Sequence, residues 1–475
     1  MNPIALVVLI ACSLALLQVP RKWAPVPLLL GCTYITMGQG IDIGIKLPVY
    51  RMLVIVGFLR VFMKGERLPG GLNLIDKLMI AWGVWTVFCS FFHDPSREGP
   101  IYASGMVFNQ ALPYFLIRIW CADLEEVSDV VRIIALLLVP IALEMLSEKM
   151  TGKNMFSVFG KVSPNVLIRE GKLRAQGPFG TPILAGTLGA TCIPLFVGIL
   201  KRHKIEAVVG IVAGMFIVFA SASSGPVMSL MAAAGGLMLW KWKGGVKILR
   251  WGLVAMYVLL SFVMKQPPYY LISKIDLSGG STGWHRSFLI DQTILFFGEW
   301  WLFGADKTRH WMPMQGIGVD PNHTDITNYY IAFGVSAGLL GLALVIWMMV
   351  TAFRWAGQIH DARIQTRPDD SFMIWCFGAC LFSHTVTGIS VSYFDQTMLY
   401  FWLTVAVISS AYSIVRVESG DPVPETGGDD LVDEVPDAEA VAMANAEWRR
   451  RMRERAAIKA GLVIGEAGES SDIKR

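Results

Sequence analysis

Gly283-Trp284-His285-Arg286, Trp300-Trp301-Leu302-Phe303-Gly304 and Pro321-Asn322-His323 mark out one stretch, residues 283 to 341, on which the reading of this chain turns. It opens on a polar turn, passes through an aromatic run, is polar up to His323 and becomes apolar from Tyr329 onward. Long apolar runs flank it on both sides, so it reads as a large polar insertion in a membrane protein. Arginine, histidine and aspartate gathered at a membrane surface suit an anionic, lipid-linked ligand, because a guanidinium fork matches phosphate oxygens.

Composition sets the class around that stretch. Of 475 residues, 54% are hydrophobic and 16% are charged. The mean hydropathy of +0.51 is high for a soluble globular chain. Apolar runs recur near 3–19, 25–43, 47–62, 78–92, 101–119, 127–146, 183–200, 205–221, 226–240, 248–264, 325–350, 371–388 and 396–415. The expected fold is all-α: a polytopic helical membrane protein of roughly 12 or 13 spans, each able to cross ~30 Å of hydrocarbon. The first run lacks a basic leader and reads as a retained span rather than a cleaved signal.

Basic residues orient the expected bundle. Arg21-Lys22, Lys64 to Lys77, Lys201 to Lys204, Lys241 to Lys247 and Arg354 to Arg367 fall in alternate loops and predict the cytoplasmic side. The outer side then carries two long loops, 147–182 and 265–322. A membrane domain is expected over 1–415 and a cytoplasmic tail over 416–475. The tail is acidic and rich in Pro and Gly from Asp421 to Glu439, which reads as disordered. A candidate helix follows at Ala440 to Leu462, with Arg449-Arg450-Arg451; it either touches anionic lipid or is a solvated, ion-paired face. The seven cysteines lie in or beside apolar runs and read as packed thiols, Cys376 and Cys380 included.

Candidate chemistry sits in the outer loops. Arg169-Glu170-Gly171-Lys172-Leu173-Arg174 leads into Gly177-Pro178-Phe179-Gly180-Thr181-Pro182, a tight approach to a helix that aims Arg174 over the bundle mouth. Its bland alternative is a basic edge on lipid headgroups. Ser221-Ala222-Ser223-Ser224-Gly225-Pro226 reads as a helix corner. Residues 283–303 suit a helix lying in the interface, with Trp300 and Trp301 as anchors and Arg286 facing a phosphate. His323 stands at a helix start beside Asp320, Asp325 and Asn328, where an imidazole can take a proton or hold a phosphate. His384, mid-span, reads as a hydrogen-bonded bundle residue. No nucleotide-binding, zinc or nucleophile-elbow motif occurs in a fitting context, and no acidic pair for a metal–sugar-nucleotide lies in an outer loop.

In this order, Arg174-x-x-Gly-Pro-Phe-Gly-x-Pro182, Ser223-Ser224-Gly225-Pro226, Arg286, His323 with Gly334, and Gly338-x-x-Gly341 resemble the O-antigen ligase and O-antigen polymerase superfamily of bacterial envelope glycan enzymes. The likeness spans about Leu112 to Leu342. It implies a metal-independent, inverting glycosyltransferase without cofactor, on the outer face of the bacterial inner membrane. The implied partners are a polyprenyl-diphosphate-linked glycan, a glycan, lipid or protein acceptor, and membrane lipid, with no nucleic acid. Carried over, Arg174 and Arg286 would hold the diphosphate leaving group and His323 would act on the acceptor hydroxyl. Arg169, Lys172, Asp320 and Asn328 would be substrate contacts. The chain departs from the family where Ser224 replaces an arginine and Thr324 replaces the asparagine after the histidine. The competing expectations are a lipid-linked glycan transporter, for which Arg51 and Arg60 speak, and a non-catalytic assembly protein.

Overall fold

A computed structural model describes residues 1–93, 98–242, 244–274, 283–312 and 322–419. The tail helix and acidic segment expected beyond 420 lie outside the described residues, as does Asp320. In chain order the helices are α1 (Pro3–Gln18), α2 (Pro25–Tyr34), α3 (Val49–Lys64), α4 (Leu74–Cys89), α5 (Glu98–Trp120), α6 (Leu124–Thr151), α7 (Pro182–Gly198) and α8 (Lys204–Ala220). Then come α9 (Ser224–Met238), α10 (Gly245–Val263), α11 (Gly283–Leu295), α12 (Phe297–Trp300), α13 (Tyr329–Arg363), α14 (Pro368–Gly388) and α15 (Thr397–Ser419). Strands are confined to two hairpins: β1 (Gly40–Asp42) with β2 (Lys46–Pro48), and β3 (Leu167–Arg169) with β4 (Lys172–Arg174).

The chain is thus an all-α membrane-type bundle. Five helices are long and apolar enough to cross a membrane: Leu74–Phe92, α6, α13, α14 and α15, or six if α10 is joined to the bent turn after it. Helix α15 is the axis, buried over 94% of its most apolar window, as expected of a helix apolar on every side. By contrast α10 exposes Ile248 (76%), Leu259 (62%) and Phe262 (84%), a surface that suits lipid rather than water. Where helices pack tightly, small residues allow it. A side chain at Gly189 would come within 2.7 Å of the Gly214 carbonyl on α8.

One end of the bundle is laced by ion pairs. Arg118 meets Asp76 at 3.1 Å with both side chains fully buried, and Tyr114 donates its hydroxyl to the same carboxylate. Arg60 pairs with Glu66 at 2.7 Å and donates to the Leu16 and Val19 carbonyls. Arg51 donates to Asn109 Oδ1 and to the Lys46 carbonyl. Both arginines that spoke for a transport path therefore have local partners near the two ends of α3. His384 is hydrogen-bonded to the Tyr393 hydroxyl at 2.8 Å, and all seven cysteines are buried thiols.

Three expectations are corrected. The run 25–43 is not one helix: α2 stops at Tyr34 and Gly40–Asp42 turns into the first hairpin, where a side chain at Gly40 would strike the Leu47 carbonyl. The run 325–350 is broken at Ala337 and Gly338, whose φ is +67°. The freed groups are taken up by neighbours: Ala337 O accepts from Trp85 Nε1 at 2.8 Å, Leu339 N donates to Trp301 O, and Val335 O accepts from Ala305 N. Trp300 is not an interfacial anchor but core. It is 7% exposed, donates to Thr293 O, and packs where a side chain at Gly334 would be. Trp301 is half exposed, and the expected interface helix ends at Leu295.

Candidate functional site

The hairpin β3–β4 puts three basic residues together. Its register pairs Leu167 with Arg174 and Arg169 with Lys172 across a two-residue turn at Glu170 and Gly171, both with positive φ. Side chains alternate along a strand, so Arg169, Lys172 and Arg174 share one face. Like charges directly opposite one another are unfavourable, and an anion on that face relieves them.

Arg174, at the end of β4, reaches the corner between α8 and α9. Its Nη2 donates to Ser223 Oγ at 2.5 Å and its Nε to the Ser221 carbonyl at 3.4 Å. Ala222 adopts φ +43° there, and Ser223 begins α9. The corner read from the sequence as a packing feature is therefore the seat of Arg174. Burial and then the nearby Arg169 guanidinium hold Arg174 below its usual value.

Arg286 comes from the first turn of α11. Its Nε donates to the Ser390 carbonyl at 2.9 Å, just past α14. Burial, followed by Arg169, holds it below its usual value, while Asp325 acts in the opposite sense. Arg169 thus stands within electrostatic reach of both other arginines, although 117 residues separate it from Arg286 in the sequence. Beside Arg286, burial holds the His285 imidazole below its usual value; Asp325 opposes the shift and Arg286 adds to it.

The segment leading into α13 closes the group. Asn322 O accepts from the Thr308 and Arg309 amides, and Thr324 N donates to Thr308 Oγ1 at 3.0 Å. His323 is exposed between these anchors. Asn328 is spent on structure: its Oδ1 accepts from Tyr330 N and Ile331 N as a helix cap, and its Nδ2 donates to Ile389 O at 2.9 Å. Adjacent carbonyls, Ile389 and Ser390, therefore fasten the 322–328 segment and α11 to the same turn.

The structure brings Arg169, Arg174 and Arg286 together with Asp325 and His285. It gives Asn328 a capping role, and leaves Lys172 on the hairpin face beside Arg169. Sequence reasoning missed Glu148 and Asp395, which accept backbone amides of the loop after Arg174. The available signal was the Gly-Pro-Phe-Gly loop itself: irregular backbone beside a membrane helix needs acceptors from elsewhere. No protein-family model and no curated protein sequence matches this chain.

Proposed function

We propose that this protein is a membrane glycosyltransferase that moves a glycan from a polyprenyl diphosphate to an acceptor hydroxyl, in the manner of O-antigen ligases and polymerases. The observation that carries the reading is the state of two arginines. Arg174 and Arg286 are each partly buried and each fastened through Nε to a carbonyl. Among the described residues, Arg174 Nη1 and both Nη groups of Arg286 make no hydrogen bond, so donors are left over at two held guanidiniums. Arg169 adds a third charge. Bidentate donors of this kind match a diphosphate and stabilise the charge that grows on it as it leaves.

In the reaction, the acceptor oxygen attacks the anomeric carbon, the bond from that carbon to the diphosphate oxygen breaks, and the electron pair leaves with the lipid diphosphate. His323 takes the hydroxyl proton. Direct displacement inverts the anomeric centre. In this reading the bundle lies in a bacterial inner membrane, with roughly 12 or 13 spans and the site on the outer face.

The test follows release of free polyprenyl diphosphate by protein in nanodiscs, with polyprenyl-diphosphate glycan as donor. Release by wild type, lost in folded Arg286→Ala and His323→Ala, is the expected result. Variants that match an active wild type would overturn the site. The break in α13 favours a second reading, transport of the lipid-linked glycan, since broken helices line transport paths. Movement of intact donor across proteoliposome membranes, with no diphosphate released, would identify it.

A further inference from the structure

The loop that carries Arg174 is held almost entirely by side chains from distant helices. Glu148, fully buried near the end of α6, accepts the Gln176 and Gly177 amides on one oxygen, at 3.0 Å each. Asn154 Nδ2 donates to the Gly177 carbonyl at 2.8 Å, and Gln396 Nε2 to the Pro178 carbonyl at 2.9 Å. Asp395, 4% exposed, accepts Gly180 N at 2.8 Å on Oδ2, while its Oδ1 accepts the amide and hydroxyl of Thr397. Phe179 is fully buried between these points.

Two buried carboxylates thus grip the backbone on either side of the Gly-Pro-Phe-Gly turn. Neither forms an ion pair with Arg174, whose side chain goes to Ser221 and Ser223 instead. This separation matters. A carboxylate placed against the guanidinium would neutralise it, whereas one placed on the backbone amides fixes where the guanidinium stands and leaves its charge for a ligand. Gly177 adopts φ +57°, and a side chain there would sit 3.4 Å from Glu144 Oε2, so the turn cannot easily slide along α6.

We infer that Glu148 and Asp395 are positioning residues for Arg174: an acidic clamp on the Gln176–Gly180 backbone that sets the affinity of the site for a lipid diphosphate without touching it. The inference rests on the reading of Arg174 as a phosphate-binding residue. The two substitutions that test it differ in kind. Glu148→Gln keeps an oxygen that can accept both amides, whereas Glu148→Ala leaves two buried N–H groups without an acceptor. Asp395→Asn is isosteric, but must turn an NH2 toward either Gly180 N or Thr397.

The full chain in nanodiscs is measured in two ways: amide hydrogen exchange over residues 170–184 without ligand, and binding of farnesyl diphosphate. In Glu148→Ala and Asp395→Asn, exchange across 175–180 is expected to rise about tenfold, the effect of losing a buried acceptor. Farnesyl diphosphate affinity is expected to fall by a similar factor, and Glu148→Gln is expected to restore most of both. A purely structural role would instead raise exchange across α7, α14 and α15 together, with no rescue by Gln, and would overturn the inference. Unchanged exchange at 175–180 overturns it as well, as does a loosened loop with unchanged affinity. If wild type binds no diphosphate, the inference falls with the reading beneath it. The ligand-free exchange then still reports separately whether the carboxylates hold the loop.

Discussion

Arg286 donates its Nε to the carbonyl of Ser390, 2.9 Å away and 104 residues distant in the chain. That bond fixes the plane of the guanidinium and turns its two Nη groups away from the carbonyl. Lysine keeps the charge but has neither the fixed plane nor the fork. Arg286→Lys is therefore expected to fold normally and to lose roughly a hundredfold in diphosphate-releasing turnover, the scale found when one oriented donor is removed from a charge-stabilising site. A variant within threefold of wild type would mean that charge alone suffices at this position.

Arg169 presses on two neighbours of like charge and is itself exposed. Arg169→Ala is expected to change thermal stability little, within about 0.5 kcal/mol, because it removes no buried contact. Its effect should appear in the ligand: weaker farnesyl diphosphate binding and a shallower dependence of that binding on salt. Titrations at low and high ionic strength, wild type beside variant, check both expectations.

His285 makes stability depend on pH with a definite sign. Burial lowers its folded value from the model value of 6.5, so the unfolded chain takes up a proton that the folded imidazole refuses. Its contribution to stability is complete above that unfolded value and is lost as the pH falls below it toward the depressed folded value. Melting temperatures taken across this range should fall more steeply for wild type than for His285→Gln. Parallel curves would show that the imidazole is not the group responsible.

Gly338 sits at φ +67°, and a side chain there would meet the Leu302 carbonyl at 2.1 Å. The neighbouring break is sealed by Trp85, Trp301 and Ala305, so the backbone has no room to shift. Gly338→Ala is expected to cost at least ~2 kcal/mol, from the strained backbone conformation alone. The measurement is the thermal midpoint and the monodisperse yield in detergent. Unaltered values would mean that α13 can straighten.

The buried pair Arg118–Asp76 separates architecture from function. Asp76 also accepts the Tyr114 hydroxyl, and Arg118 donates to Ser413 Oγ on α15. Arg118→Ala leaves a buried carboxylate uncompensated and is expected to destabilise by ~3–5 kcal/mol. Farnesyl diphosphate affinity of whatever folded protein remains should be unchanged, because the pair stands at the bundle end away from the arginine group. A selective loss of affinity with full stability would assign the pair to the ligand site.

The amino-acid sequence by itself determined that the chain is all-α and built for a membrane. Apolar runs such as 371–388 and 396–415 have one economical outcome in hydrocarbon, where each backbone group must find its partner within the same helix. It also marked Arg174 and Arg286, because a guanidinium beside a helix end in an otherwise apolar chain stands out by composition. What it could not contain was distance. That Arg169 reaches both other arginines depends on a hairpin register and on the Ile389–Ser390 turn, which fastens α11 and the 322–328 segment side by side. The end of α2 at Tyr34 and the break at Gly338 were equally hidden, since their hydrogen bonds go to Leu47, Trp85 and Trp301, partners that local periodicity does not encode. Glu148 and Asp395 read as ordinary acidic residues near apolar runs. Only tertiary structure decided that both would close on one loop, because a buried amide takes whichever acceptor the packed bundle brings to it.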